Sequence, residues 1–428
     1  MPREKIAAFP VLLPARCCRP KPKPFMKLAT LRDGSRDGQL IVVARDLKTA
    51  QIADRIAPTL QRALDDWNFI APQLDALYAE LNQGRAKRPF EFDAVACMAP
   101  LPRAYQWLDA SAYNGHLQRM KEATGVDWVA LSSREPLVYQ GGSDDFLGAR
   151  EDAPFPEESH GIDFEAEIAV VTGDVPMGTK HEDALEHVRL LMLVNDWSLR
   201  NLGPNDLKKQ FGFFLSKPST AFSPVAVTPD ELQDGWRDGR AAVTVRVDWN
   251  GVRFGELDAA ADTRFGFGEL ITFAARTRTL SAGTVIGLGT ISSADAARGF
   301  ATIAEARAQE KISSGEARTA FMKYGDRVRI DAQDAAGHSI FGAIEQAVAS
   351  TRRRRVMHLV NRVDAADGGP VVDAAVVDAA GVDAAGVDGS AAAAGADAAS
   401  SGQDVAAAEA SAAMPVAAAA AATLPSEA

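Results

Sequence analysis

The chain has 428 residues, a formal net charge of −11, 47% hydrophobic residues and 24% charged residues. This composition is typical of a folded protein with a large apolar core, and the acidic balance argues against a nucleic-acid partner. The apolar stretches are too short or too weakly hydrophobic to cross a bilayer, so no membrane partner is expected. Cys17, Cys18 and Cys97 form neither a disulfide framework nor a zinc motif, which indicates reduced thiols in the cytoplasm.

The two ends of the chain differ in composition from the centre. Residues 1–25 are basic and interrupted by prolines, without the clean apolar core of a signal peptide. We therefore expect a disordered leader or a gene-model extension, with Met26 as the natural start. Residues 351–428 are rich in alanine, with Val-Asp repeated every five residues, a period that fits no helix or strand face. A disordered tail is predicted there, and its Arg352–Arg355 run indicates a solvated charge cluster more than a nucleic-acid site.

The sequence of residues 26–100 predicts a small N-terminal α+β domain. Leu28–Leu31 and Leu40–Ala44 flank a polar turn, which predicts a hairpin. Apolar residues at helical spacing over residues 54–81 predict two helices, interrupted at Pro72. A catalytic domain is predicted over residues 101–350.

The second segment is dominated by short strands separated by turns. Strands are predicted over Phe164–Val171, Val225–Val227, Ala241–Trp249, Val252–Glu256, Thr284–Gly287 and Arg327–Asp331, the last opening a hairpin that returns to about Phe341. Helices are predicted over His181–Asn195 and Phe267–Thr277. Many strands with few helices favour a β-rich α+β fold over a doubly wound one. The sequence has no nucleotide-binding or serine-hydrolase motif.

Paired acidic residues in an apolar segment give the first indication of a site. Glu165 and Glu167 are two residues apart, so on a strand their side chains share one face. Two buried like charges repel each other and are costly to desolvate, and a divalent cation relieves both effects. Oxygen ligands favour Mg²⁺, Ca²⁺ or Mn²⁺ over zinc. The alternative from this stretch alone is a solvated strand face with no ligand.

Other candidates are ambiguous when taken singly. Asp196 ends an apolar run and precedes Arg200 by four residues, a pattern that fits a pocket or a helix cap. Asp109 precedes His116 by seven residues, and a lone histidine is more often structural. Lys217 ends an aromatic run, where a lysine either extends from the core to solvent or provides a cation to a site. Most lone glutamates such as Glu305 lie on the surface.

Six motifs in a fixed order resemble the fumarylacetoacetate hydrolase family. The resemblance extends from about Met26 to Val348, and the N-terminal hairpin-and-helix unit is similar to that of bacterial fumarylacetoacetases. The motifs are Asp109-x6-His116, Tyr139-Gln-Gly-Gly142, Asp163-Phe-Glu-x-Glu167, Asn195-Asp-Trp-Ser-x-Arg200, Ser216-Lys-Pro218 and Gly289-Thr-Ile-Ser292.

The resemblance implies a fold and a set of residue roles. The fold is a β-rich roll preceded by the small α+β domain, and the family usually forms homodimers through the catalytic domain. His116 matches the base that activates water, and Glu305 matches the acid that helps to orient it. Arg200 and Lys217 match cations around the developing negative charge. The carboxylates that match the metal ligands are Asp109, Glu165, Glu167 and Asp196. Tyr139 and Thr290 match residues that contact the substrate.

The implied activity is metal-dependent hydrolysis of a carbon–carbon bond in a β-diketo acid. The expected reaction converts fumarylacetoacetate to fumarate and acetoacetate in tyrosine and phenylalanine breakdown. Alternatives within the family are an acylpyruvate hydrolase, an oxo-acid decarboxylase and a tautomerase. His116 discriminates among them, because hydrolysis needs a base that activates water. A non-catalytic scaffold with the same fold is a third hypothesis, which loss of a metal ligand would favour.

Overall fold

The computed structural model describes residues 25–351. Apart from Phe25 and Thr351, the predicted leader and the predicted tail lie outside the described residues, as do Cys17 and Cys18. Cys97 is buried as a free thiol. No helix in the described part of the chain is long and apolar enough to span a bilayer.

The N-terminal segment is an antiparallel meander of four strands with two helices packed on it. Its elements are β1 (Lys27–Leu31), β2 (Gln39–Val43), β3 (Thr49–Ile52), α1 (Leu60–Asp65), α2 (Trp67–Asn82) and β4 (Phe90–Glu91). The predicted hairpin is confirmed. The predicted interruption at Pro72 is wrong, because the helices separate at Asp66 and Pro72 lies inside α2. The buried face formed by Ile70, Leu74 and Tyr78 stabilises α2 across the proline.

Short strands dominate the remaining elements. They are β5 (Trp107–Ala110), α3 (Asn114–Thr124), α4 (Trp128–Leu131), β6 (Val138–Gly141), β7 (Ala153–Phe155), β8 (Ile162–Asp163), β9 (Ala166–Thr172), α5 (His181–Ala184), β10 (Val188–Asn195), β11 (Ser198–Leu199), α6 (Gly203–Lys208), β12 (Ala221–Phe222), β13 (Ala226–Val227), β14 (Trp236–Arg237), β15 (Arg240–Ala241), β16 (Thr244–Trp249), β17 (Val252–Asp258), α7 (Phe267–Ala274), β18 (Val285–Gly287), α8 (Ile303–Ser314), β19 (Arg327–Gln333) and β20 (Ile344–Ser350).

Two mixed sheets contain most of these strands and, together with the helices, confirm the α+β class, while β8 pairs with β11 and β14 with β15. Within the described residues, the larger sheet has eleven strands in the order β4-β3-β2-β1-β13-β10-β9-β18-β5-β6, with β12 paired to β10. The smaller one has the order β17-β16-β19-β20-β7. Strand β1 pairs with β13, with Lys27 opposite Val227, so the N-terminal meander continues the central sheet. Residues 25–351 accordingly lie within one compact unit.

The secondary-structure prediction for this segment needs correction. The helix predicted over His181–Asn195 is wrong, because α5 ends at Ala184 and strand β10 begins at Val188. Residues Leu190–Val194 are all buried, and a continuous apolar run of this kind does not distinguish a central strand from a buried helix. Helices α3 and α8 were not predicted, and the return strand of the last hairpin begins at Ile344, beyond the predicted Phe341.

The register of the central strands brings three chain segments to one end of the sheet. Strand β9 is antiparallel to β10, with Glu167 opposite Val194, so the start of β9 lies beside the end of β10. Strand β18 is antiparallel to β9 and parallel to β5, with Gly287 opposite Asp109. The end of β5 therefore lies at the same edge. Side chains from distant parts of the sequence meet there because of strand order alone.

We predict that Leu191→Ala lowers the free energy of unfolding by about 2–5 kcal/mol, because a cavity replaces a fully buried side chain. Leu191 is 0% exposed in β10, between β9 and β13. Urea unfolding followed by circular dichroism measures the loss. Leu131→Ala is the matched control, since Leu131 is 60% exposed and its loss should stay within about 0.5 kcal/mol. Equal losses in the two variants would contradict the central position of β10.

Candidate metal centre

Three of the four predicted carboxylate ligands converge where β5, β9 and β10 meet. Asp109 lies near the end of β5, Glu167 near the start of β9, and Asp196 directly after β10. One carboxylate oxygen from each lies within 4.8 Å of the other two, and all three residues are buried. A Cβ atom at Gly287 would lie 2.5 Å from Asp109 Oδ1, so the neighbouring strand must carry a glycine at this position.

The electrostatics of this cluster are unfavourable in the protein alone. Asp109 Oδ1 and both carboxylate oxygens of Glu167 are buried without a hydrogen-bond partner. Burial and the negative charge of Asp196 raise the pKa of Asp109 well above its ordinary value. Burial and the charges of Asp109 and Asp196 raise the pKa of Glu167 in the same direction. Folded proteins rarely leave buried polar oxygens unpaired, so either bound protons or a cation must offset the charge of these atoms.

The donor set suits a hard divalent cation. Carboxylate oxygens are the preferred protein ligands of Mg²⁺, Ca²⁺ and Mn²⁺, whereas zinc sites usually include nitrogen or sulfur. Asp109, Glu167 and Asp196 would hold such an ion, which would give a partner to Asp109 Oδ1 and to both carboxylate oxygens of Glu167. These three residues form the carboxylate triad of the site.

The triad adjoins two residues that the sequence singled out. Lys217 Nζ lies 2.6 Å from Asp196 Oδ2, and the Tyr139 hydroxyl donates to the same oxygen at 2.5 Å. Thr220, which sequence reasoning missed, donates to Asp196 Oδ1 at 2.6 Å. Burial alone would lower the pKa of Lys217, but the charges of Asp196 and Glu165 raise it. Lys217 therefore remains a buried cation at the centre.

Glu165 lies next to the triad but faces cations and hydroxyls. Its Oε1 accepts hydrogen bonds from Ser198 Oγ at 2.8 Å and from Lys217 Nζ at 3.1 Å, and it also pairs with Arg200. Its Oε2 accepts from Thr290 Oγ1 at 2.6 Å. Burial would raise the pKa of Glu165, but the positive charges of Arg200 and Lys217 lower it well below its ordinary value. Its assignment as a fourth metal ligand stays a prediction.

Arg200 connects this cluster to helix α8. Its Nε donates to Asp163 Oδ2 at 2.8 Å, and Nη2 donates to Thr302 Oγ1 at 2.9 Å. Asp163 is fully buried and also accepts from the backbone N–H groups of Ile303 and Ala304, which begin α8. Sequence reasoning missed this supporting role of Asp163, although the residue stands in the motif that ends at Glu167. The predicted substrate-side roles of Arg200, Tyr139 and Thr290 stay predictions.

His116 and Glu305 meet through helices α3 and α8, near the N-terminus of each. His116 Nδ1 lies 2.9 Å from Glu305 Oε1, and the Glu305 side chain is almost fully buried. Asp262 Oδ2 accepts from the Gly115 N–H at 2.6 Å and holds the first turn of α3. Thr302 caps α8, and a threonine three residues before a glutamate is a helix-start signal that could have predicted this helix.

The pair lies close to the carboxylate cluster. The segment after β18 connects them, since Ile291 N–H donates to Ala166 O at 3.0 Å and Ala112 N–H donates to Leu288 O at 2.9 Å. The charge of His116 also contributes to the lowered pKa of Glu165. The site therefore combines the carboxylate triad, the partly buried cations Lys217 and Arg200, and a histidine–carboxylate pair.

Comparison with known proteins identifies the family. Residues 106–349 match the family described as Fumarylacetoacetate (FAA) hydrolase C-terminal, and residues 26–103 match Fumarylacetoacetase N-terminal domain 2. The chain belongs to the fumarylacetoacetate hydrolase family. The resemblance drawn from the six motifs is thus confirmed, and the two matches together span most of the described residues.

Two curated proteins similar to this chain are named as oxaloacetate tautomerases. Oxaloacetate tautomerase YisK of Bacillus subtilis is 32% identical over 232 residues, which cover 52% of this chain and 70% of that protein. The mitochondrial oxaloacetate tautomerase fahd2 of Xenopus laevis is 30% identical over 163 residues, 37% of this chain and 48% of that protein. The match thus spans about half the length of the frog relative.

Solved structures in the family share the fold at low sequence identity. Fumarylacetoacetate hydrolase from Exiguobacterium antarcticum is 17% identical with a TM-score of 0.53, covering 76% of this chain and 99% of that one. Maleylpyruvate hydrolase from Sphingobium sp. SYK-6, in complex with manganese(II) ion and pyruvate, is 16% identical with a TM-score of 0.51 and the same coverage. These similarities show that this chain shares its fold with the two solved structures.

We predict that Glu167→Gln abolishes Mn²⁺ binding in isothermal titration calorimetry, because the amide removes a charged ligand from the triad. Glu305→Gln is the matched control, a buried carboxylate changed to an amide outside the triad, and should bind Mn²⁺ as the parent does. Circular dichroism verifies that both variants fold. Retained Mn²⁺ affinity in Glu167→Gln would contradict the assignment.

For the protein stripped of metal, we expect the Tm to fall as the pH is raised from the ordinary range of carboxyl pKa values toward neutrality. The pKa of both Asp109 and Glu167 is raised in the folded protein. The folded state then binds more protons than the unfolded chain, so stability is lost as the pH rises from the unfolded pKa to the folded one. Differential scanning calorimetry should show a shallower decline for Glu167→Gln, and identical slopes would refute this account.

Proposed function

We propose that this chain is a metal-dependent hydrolase that cleaves a carbon–carbon bond in a β-diketo acid. The observation that carries the proposal is the His116–Glu305 pair, with its carboxylate buried, beside a carboxylate triad in which Asp109 and Glu167 have unpaired oxygens. A cation site alone would serve decarboxylation of an oxo acid. A histidine held by a carboxylate adds a group suited to taking a proton from water, which hydrolysis requires.

The roles of the residues follow from their surroundings. When bound at the triad, the divalent cation would polarise the oxygens of the oxo acid as a Lewis acid. His116 accepts a proton from water while Glu305 orients the imidazole. Lys217 and Arg200 place positive charge where negative charge develops on the substrate, and their partial burial strengthens this interaction relative to bulk water. Tyr139 and Thr290 position their carboxylate partners and face the substrate.

The chemistry of the substrate class follows from the bond that breaks. The water oxygen bonds to the acyl carbonyl carbon, and the electron pair of the broken carbon–carbon bond leaves as an enolate. That enolate then takes up a proton to give the second product. A second carbonyl next to the breaking bond is needed to accept the electrons. Fumarylacetoacetate and acylpyruvates both meet this condition, and the proposed reaction yields fumarate and acetoacetate from the first, as in tyrosine and phenylalanine breakdown.

Oxaloacetate tautomerisation is the second candidate, and the named relatives favour it. The Bacillus subtilis tautomerase is 32% identical over 70% of its length. Tautomerisation moves one proton between carbon and oxygen and consumes no water. A tautomerase would therefore need the cation site and one proton-transfer group, and His116 would serve as that group without activating water.

A panel of fumarylacetoacetate, an acylpyruvate and oxaloacetate, given to the full-length protein reconstituted with Mn²⁺, Mg²⁺ or Ca²⁺, separates these functions. We expect metal-dependent hydrolysis of a diketo acid, with products identified by mass spectrometry. His116→Ala should lower kcat for hydrolysis by about 10²–10⁴-fold without changing Mn²⁺ affinity. His338→Ala, at an exposed histidine, is the control and should leave kcat unchanged. Tautomerisation of oxaloacetate with no hydrolysis of either diketo acid would overturn the proposal.

A further inference from the structure

A buried arginine closes the side of Glu305 that faces away from His116. Arg119 is 6% exposed, and its Nη1 lies 3.6 Å from Glu305 Oε2. That oxygen is buried and has no hydrogen-bond partner, whereas Oε1 pairs with His116 Nδ1 at 2.9 Å. The carboxylate therefore lies between an imidazole on one side and a guanidinium on the other.

Neutral groups hold Arg119 in place independently of Glu305. Its nitrogens donate to Ser292 Oγ at 3.0 Å, to Ala294 O at 3.3 Å and to Gln309 Oε1 at 3.3 Å. Its guanidinium carbon also lies 5.4 Å from the centre of the Phe300 ring. None of these partners carries a negative charge. The positive charge of Arg119 is thus available to the Glu305 carboxylate.

The spacing of residues along α3 and α8 explains why these contacts lie together. His116 and Arg119 are three residues apart on α3, and Glu305 and Gln309 are four residues apart on α8. Residues at these spacings lie on the same face of a helix. The facing sides of α3 and α8 therefore present histidine, carboxylate and guanidinium in a fixed order.

We propose that Arg119 is a positioning residue for proton transfer by His116. It fixes the Glu305 carboxylate, which then keeps the Nδ1–H of His116 directed away from the site and leaves Nε2 free to exchange a proton with water. This inference rests on the proposed function, in which His116 moves a proton. Without Arg119, a buried carboxylate loses its compensating charge and turns away or takes up a proton. His116 then loses its fixed tautomer.

Kinetics of the full-length, Mn²⁺-loaded enzyme test the role. Arg119→Met should lower kcat for hydrolysis at least about tenfold, with KM and Mn²⁺ affinity within about twofold, and Arg119→Lys should recover most of the loss. In a Glu305→Gln background, Arg119→Met should lower kcat no further, because Arg119 acts through that carboxylate. A residue with a merely structural role would give additive losses.

Arg307→Met is the matched control for loss of a partly buried arginine. Arg307 lies on α8, pairs with the carbonyl of Thr319, and lies 4.5 Å from the centre of the Phe321 ring, but it does not contact Glu305. Its replacement removes the same kinds of contact as Arg119→Met. We expect kcat for this variant to match that of the parent enzyme.

The tautomer of His116 provides a readout that needs no turnover. NMR of protein labelled with ¹⁵N-histidine should show Nδ1–H as the main form in the parent and in Arg307→Met, and a shift toward mixed tautomers in Arg119→Met.

Additive kinetic losses, or an unchanged His116 spectrum in Arg119→Met, would overturn the inference. If Arg119→Met does not fold, the spectrum of Arg119→Lys decides, and loss of Nδ1–H there counts against a charge-based role. If the parent hydrolyses no diketo acid, the proposed function fails while the NMR comparison still tests Arg119.

Discussion

Unpaired negative charge at one end of the central sheet is the constraint on which the rest of the site depends. Asp109 and Glu167 are held in a buried position where their carboxylates have unpaired oxygens and repel Asp196. Such a cluster opposes folding unless a cation occupies it or its carboxylates take up protons. The surrounding sheet is rigid enough to maintain the arrangement, since β9 is buried along its whole length between β10 and β18.

Some carboxylates of the site are paired with cations, whereas others have no partner. Lys217 and Arg200 neutralise Glu165, and Lys217 also pairs with Asp196. The carboxylate oxygens of Glu167 have no hydrogen-bond partner, and the charge of Lys217 only partly offsets the rise in its pKa. Two glutamates that are two residues apart in sequence thus differ in the direction of their pKa shifts. Divergent environments for adjacent acidic groups are typical of sites that combine cation binding with proton transfer.

Much of the site could be predicted from the sequence because its residues stand in short motifs with fixed spacing. The metal-ligand candidates, the histidine and the lysine are all found near the carboxylate cluster. The supporting residues were harder to find, because Thr220, Asp163 and Arg119 act through contacts between elements that are distant in the chain. The fold class was predictable from the number of strand-like segments, but the strand β10 was taken for a helix because its apolar run has no alternation.

By itself, the sequence determined the family, the α+β class and the residue types available for chemistry, since these depend on local composition and on the order of motifs. Only the tertiary structure decided which side chains share a partner. Strand order placed Asp109 beside Glu167 across β18, and the antiparallel register of β9 and β10 placed Asp196 beside both. The packing of α3 on α8 joined His116 to Glu305, because long-range contacts follow from sheet and helix packing that no local pattern encodes.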